Sequence, residues 1–278
     1  MARKVSGWLL TLFLVSSCGG SGSPDSEQTV PSGPGSNIIY QENFDSLADG
    51  SPWPAQWQIA PASNVINPQI QSGMACLTSG PYMGDAGQQN LARMVSSGLQ
   101  AQNVDIRFDV IFGNFQNQGV GFYARQNGGF FDLSNPAGEG YVVFTEGYSS
   151  NGITFWYEEA GDEIQHEIVE LSSPLGVDPE TLTDVAFSIR YQVESLDANT
   201  TIQRAKIWLT DSQTEPDDWT IISDADGTDV PSPESSSNPM TIPSLQAISG
   251  GFAIDLFNIT AGNETACIDN IVIMELMP

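Results

Sequence analysis

Short runs in which apolar and polar side chains alternate strictly place the tightest limit on what this chain can fold into. VDIRFDVIF (104–112) sets Ile106, Phe108 and Val110 against Asp105, Arg107 and Asp109. VGFYAR (120–125) sets Val120, Phe122 and Ala124 against Gly121, Tyr123 and Arg125, and ITFWYEE (153–159) sets Ile153, Phe155 and Tyr157 against Thr154, Trp156 and Glu158. VAFSIRYQV (185–193) and IQRAKIWL (202–209) repeat the habit. A period of two sends successive side chains to opposite faces of a strand, so one face can enter a core while the other stays polar. Turn-forming stretches separate the runs: NGG (127–129), SSNG (149–152), AGDE (160–163) and DADG (224–227). The best helical candidate is short, DPETLTD (178–184), with an acidic start. Roughly twelve to fourteen short strands at regular turn spacing predict an all-β chain folded as an antiparallel β-sandwich or jelly roll.

The N-terminus is of another kind. Arg3 and Lys4 precede the apolar run WLLTLFLV (8–15), which is too short to span a bilayer as a mature helix. Val15-Ser16-Ser17-Cys18 follows and resembles the bacterial lipobox, whose cysteine is lipidated and becomes the first residue after cleavage. That resemblance implies an anchor at Cys18 made of lipid chains. With Gly19 next in line rather than an aspartate, it also implies the outer membrane of a Gram-negative envelope. GGSGSPDSEQTVPSGPGS (19–36) is too poor in large apolar residues to bury a core and reads as a flexible tether. The expected organisation is therefore a signal segment over 1–17, a tether over 18–36 and one β-sandwich domain over 37–278. SDADGTDVPSPESSSNPM (223–240) reads as a long surface loop inside that domain.

Charge narrows the partners. The chain has 8 Lys and Arg against 34 Asp and Glu, a formal net charge of −26. Such a surface repels nucleic acid and anionic lipid headgroups, so no nucleic-acid partner is expected and membrane contact runs through the lipid anchor. The charge fits a marine or halophilic source, and fits solubility alone equally well.

Three stretches resemble the concanavalin A-like lectin/glucanase jelly roll: ENFDSLADGSPWPAQW (42–57), AKIWLTDSQTEPDDW (205–219) and GGFAIDLFNITAGNETACIDNIVI (250–273). The resemblance covers residues 38–275. It implies an opening strand laid beside the closing strand, a concave face that carries ligands, and membership among glycoside hydrolases, polysaccharide lyases or pure binding modules. It further implies that the early strand around QSGMACLTS (71–79) lies next to the closing strand, bringing Cys76 within bonding reach of Cys267 in an oxidising envelope. From the family's structural calcium site it implies Ca²⁺ held by Asp269 and Glu42, with Asp45 as the substitute for Glu42.

The enzyme classes are harder to place. A retaining hydrolase needs two carboxyl groups roughly 5 Å apart, and the laminarinase-like members carry them in an E-x-D-x-x-E strand. The nearest acidic cluster here, Glu158 to Glu163, has the wrong spacing and an AGD turn in its middle. His166 is the sole histidine and is expected on a solvent-facing strand position, although His166, Tyr123 and Arg125 would be the groups of a lyase. The polar positions of the central strands supply the candidate carbohydrate site: Arg107, Tyr123, Arg125, Trp156, Glu158 and Arg190, with Arg204 alongside. The alternative for these residues is cross-strand ion pairing on a solvated sheet. The leading expectation is a surface-anchored lipoprotein whose jelly roll binds extracellular polysaccharide without cleaving it. The alternatives are an atypical hydrolase or lyase, and a structural or adhesive envelope protein.

Overall fold

The structure is a computed structural model. It describes residues 36–60, 67–78, 91–128, 140–147, 151–159, 162–196, 201–223, 249–258 and 264–277. Residues 1–35, read above as signal segment and tether with Cys18 between them, and residues 224–240 of the expected loop lie outside the described residues.

Among the described residues fifteen strands form two antiparallel sheets. The eight-stranded sheet contains β1 (Ser36–Glu42), β3 (Gln69–Gln71), β4 (Met74–Thr78), β6 (Val104–Phe112), β11 (Ala186–Ser195), β12 (Thr201–Leu209), β13 (Ile221–Ile222) and β15 (Thr265–Leu276). Its order is β13-β12-β11-β6-β15-β4-β3, with β1 also pairing β15. The seven-stranded sheet contains β2 (Trp57–Ile59), β5 (Leu91–Ser96), β7 (Gln118–Gln126), β8 (Gly140–Glu146), β9 (Gly152–Glu159), β10 (Asp162–Glu170) and β14 (Gly251–Asn258), in the order β10-β9-β8-β7-β14-β5-β2. The expected antiparallel sandwich is therefore present.

The alternation explains the layers. In β6, Ile106, Phe108 and Val110 are fully buried while Arg107 and Asp109 are half-buried on the outer face. Phe108 meets Phe122 of β7 across the layers with ring centroids 4.9 Å apart. Phe155 of β9 meets Tyr191 of β11 at 5.9 Å. Each such ring contributes about 1.5–3 kcal/mol by leaving water. Trp53 and Trp57 are core residues, and the Trp53 indole N–H donates to the carbonyl of Cys76. The DPETLTD candidate is one 3-10 turn, Pro179–Thr181, capped by Asp178 accepting from the N–H of Glu180.

β15 joins most of the chain's ends. It pairs β6 on one side, and β4 and then β1 on the other. Cys267 and Cys76 are direct register partners and form a disulfide.

Candidate functional site

The six residues expected to bind carbohydrate are divided between the two sheets. Arg107 and Arg190 lie on the outer face of the eight-stranded sheet, side by side with Lys206 in one cross-strand row. Three adjacent cations repel one another. Glu215, from the loop after β12, offsets this by reaching Arg107 at 3.1 Å, Arg190 at 2.8 Å and Lys206 at 3.4 Å. Arg190 also pairs with Asp105 at 2.6 Å, and Trp219 lies over both Arg190 and Lys206. Despite burial, these hydrogen bonds and charges hold the Arg190 guanidinium above its ordinary pKa and the Glu215 carboxyl below its own. Arg204 pairs with Glu194 at 2.9 Å. This face matches the ion-pairing alternative, and Arg107 and Arg190 sit on the opposite sheet from Tyr123, Trp156 and Glu158.

Arg125 is corrected more sharply. Alternation sends it outward with Tyr123, but the β7–β14 pairing shifts register between Gly251 and Ala253, and Arg125 takes a positive φ of 56°. This bulge turns the side chain inward. Its guanidinium donates to the carbonyl of Gln102 at 2.5 Å, to Thr201 Oγ1 and Asn103 Oδ1 at 3.2 Å, and lies over the Tyr141 ring. Arg125 thus ties the seven-stranded sheet to the other layer. His166 is also corrected: β9–β10 shifts register between Gln165 and Glu167, and the ring lies buried near Phe155 and Tyr157, 2.7 Å from Gln203. Burial pushes its pKa down to about 3, and the lyase grouping of His166, Tyr123 and Arg125 does not assemble.

Tyr123, Trp156 and Glu158 do share a surface, the outer face of the seven-stranded sheet. Across its central strands the registers place Phe257, Gly119 and Glu146 in one row, and Arg93, Asp255, Gly121 and Phe144 in the next. Ala253, Tyr123, Val142 and Trp156 form a third. Phe144 and Phe257 stack at 5.4 Å over β7, where Gly119 and Gly121 leave room for the rings. A Cβ on Gly121 would stand 2.6 Å from the Phe144 ring. The Tyr123 hydroxyl donates to Asp255 at 3.3 Å, and Arg93 pairs with the same carboxylate at 3.4 Å. Further along, the Gln126 amide lies over Gly140 and donates to Glu158 at 2.8 Å. Trp156 is half-buried and donates its indole N–H to Thr154 at 2.8 Å.

Sequence reasoning missed Arg93, Gln126, Phe144, Asp255 and Phe257. The signals were present: GFAIDLFN alternates Ala253, Asp255 and Phe257 on one face, and the two glycines Gly119 and Gly121, with one residue between them in β7, mark a close approach.

Among the described residues the carboxylates of this face are Glu146, Glu158 and Asp255. Asp255 and Glu158 are separated by two intervening strands and by four positions along the strands, so their backbones are roughly 20 Å apart. Glu146 stands diagonally across β7 from Asp255, and the Phe144–Phe257 stack crosses the line between them. A retaining glycosidase needs its carboxyl groups about 5 Å apart.

At the seam of β1 and β15, Asp269 is the register partner of Asp109. Burial, then Asp109, Asp45 and Glu42, push its pKa up to about 6, against two N–H contacts by Asn270. Oxygen ligands of this kind suit calcium, but the neighbouring carboxylates are already answered by donors: Asp109 accepts from Ser188 and Asn270, and Asp45 from Asn43. The side chains do not complete a cage: Glu42 Oε1 accepts from the N–H groups of Asn43 and Phe44. Among the described residues no group of three or more His, Cys, Asp or Glu is placed to hold a metal. Further ligands would have to be backbone carbonyls.

No family model matches the chain, and no curated protein does. Among solved structures it is similar to a non-specific endo-β-1,3(4)-glucanase from family GH16, with a TM-score of 0.52 and 10% identity over 88% of this chain and 92% of that one. It is similar to a protein of unknown function with a galectin-like fold from Bacillus subtilis, at 0.51 and 8%, over 86% of this chain and 96% of that one. It is also similar to a prokaryotic β-1,3-1,4-glucanase (lichenase) derived from a mouse hindgut metagenome, at 0.50 and 9%, over 86% and 99%. At such identities the likeness is one of fold. The class so defined is one of fold, the antiparallel jelly-roll sandwich of two sheets.

Proposed function

We propose that this protein is an envelope lipoprotein, anchored through Cys18 to an outer membrane, whose jelly roll binds extracellular polysaccharide on the outer face of its seven-stranded sheet without cleaving it. The observation that carries the reading is the make-up of that face. Trp156 and Phe257, both half-buried, offer ring surface of the kind that stacks on pyranose C–H faces, while Phe144, Asp255, Glu158 and Gln126 are buried and hold that layer together through the ring stack and the Tyr123 and Gln126 hydrogen bonds. The fold shared with glucanases supports the ligand class without supplying an activity. Lipidation rests on VSSC after the apolar run. The expected result is retention on a polysaccharide in affinity electrophoresis, weakened about ten-fold in Trp156→Ala and Phe257→Ala. New reducing ends that vanish in Asp255→Asn would overturn the non-catalytic half, and no retention on any polysaccharide would overturn the binding half.

Calcium at Asp269, with Glu42 or Asp45 and backbone carbonyls, belongs to the same proposal as a structural clamp on the β1–β15 seam. Calcium should raise the melting temperature and EDTA should lower it, and Asp269→Asn should abolish both responses. A wild-type melt indifferent to both would remove calcium from the proposal.

A further inference from the structure

Among the described strands β10 lies at the edge of the seven-stranded sheet and pairs only with β9. An edge strand is held by its one neighbour and by the side chains it sends into the core. Of the described side chains of this strand, Gln165 to Glu170, only His166 is fully buried. The register shift between Gln165 and Glu167 turns it inward. Its ring lies 6.1 Å from that of Phe155 and 5.9 Å from that of Tyr157. Its Nε2 lies 2.7 Å from the amide nitrogen of Gln203, on β12 of the opposite sheet. The Tyr191 hydroxyl donates to Gln203 Oε1 at 2.6 Å, which leaves the Gln203 amide nitrogen to donate to His166. Nε2 is therefore the bare nitrogen, and the neutral imidazole carries its proton on Nδ1.

We propose that His166 is an acid-released latch: neutral, it fastens the edge strand β10 to the eight-stranded sheet, and protonated, it lets that strand go. A proton on Nε2 would face the N–H groups of Gln203 unless that amide turned over, and the new charge would stand out of water. The ionisable groups that face it from other elements do not answer that charge. Tyr157 of β9 and Tyr191 of β11 bring phenol rings, not carboxylates. Arg125 of β7 is itself a cation, and it donates to Thr201, two residues before Gln203 on β12. On the same strand Glu167 is half-buried beside the histidine. Burial pushes the His166 pKa down to about 3. Opening β10 returns the ring to water, where it protonates at about pH 6.5, so acid favours the open strand.

Two readouts on the full chain, with its disulfide intact, test the latch. His166 is the sole histidine, so a nitrogen-15 sample gives a single imidazole to follow. It should show the Nδ1–H tautomer and stay neutral down to about pH 5. Hydrogen exchange, corrected for the intrinsic rate, should find β10 less protected than β15 at pH 6.5. The protection of β10 should then fall at least about ten-fold by pH 4.5. His166→Gln, with His166→Phe as the second variant should the first fail to fold, should remove that fall while keeping the strand's carboxylates, Glu167 included. A ring that carries its proton on Nε2, or that titrates near pH 6.5 in the folded protein, overturns the proposal. Protection of β10 equal to that of β15 at both pH values also overturns it, because the strand then leaves only with the whole fold. An undiminished fall in the variants overturns it too, by assigning the effect to the carboxylates.

Discussion

At the scale of single residues, two small details decide how the outer face and the interior are built. Gly121 lets the Phe144 ring lie against the backbone of β7, and an added methyl would meet the ring at 2.6 Å and the Asp255 carboxylate at 2.9 Å. Gly121→Ala should therefore lower stability by about 1–3 kcal/mol, the range for forced overpacking. It should weaken glycan retention together with it. Urea denaturation and affinity electrophoresis of one preparation check both. His166 gives the pH prediction. Its folded pKa is depressed to about 3 by burial, whereas an unfolded histidine protonates near 6.5. Between these values the unfolded chain binds a proton that the folded one refuses. The stabilising contribution is thus intact above pH 6.5 and is lost as pH falls toward 3. Over the two units from pH 6.5 to 4.5 this amounts to about 2–3 kcal/mol. His166→Gln keeps a polar partner for Gln203 and removes the titration. Its urea midpoint should fall less over that interval than the wild type's, and parallel curves would refute the assignment.

At the scale of elements, β15 is the piece on which the sandwich closes. It carries the disulfide to β4, the register with β6 and the pairing with β1. Cys76 and Cys267 are 191 residues apart, so the bond constrains a very long loop of the unfolded chain. Reducing the protein, or replacing both cysteines by serine and alanine, should cost about 2–5 kcal/mol. An unchanged urea midpoint under reductant would remove that role. The strands themselves were legible because alternation is a local property: in VDIRFDVIF each side chain's face follows from the one before it. Tyr123, Trp156 and Glu158 were placed on a common face for the same reason. The reasoning failed at bulges. One extra residue in β7 turned Arg125 inward, and one in β10 did the same to His166, and nothing in YARQN or IQHEI announces the insertion. Sheet membership was equally hidden, because Arg107 and Tyr123 alternate in the same way on strands of different layers. Alternation names a face without naming the sheet that owns it, and this is why the arginines and the aromatics were read as one site.

At the scale of the whole molecule, the charge sets the conditions under which the fold is most stable. With 34 acidic groups against 8 basic ones, repulsive pairs far outnumber attractive ones, and the cations of the domain are concentrated in a few contacts such as the Glu215 cluster. Compaction brings the excess carboxylates together and raises the free energy of the native state. Salt acts on both kinds of pair, but not equally. The Debye length falls from about 10 Å at 0.1 M to about 3 Å at 1 M, so repulsion between exposed groups is largely removed. The partly buried pair of Arg190 with Asp105 is screened less. The balance therefore favours stabilisation: the urea midpoint should rise steadily from 20 mM to 1 M sodium chloride and then level off. Potassium chloride should reproduce the curve if screening rather than specific ion binding is responsible. A midpoint that falls with salt would mean that the Glu215 cluster outweighs the surface field. Glu215→Ala should then flatten the curve, whereas under net repulsion it should leave the upward slope in place.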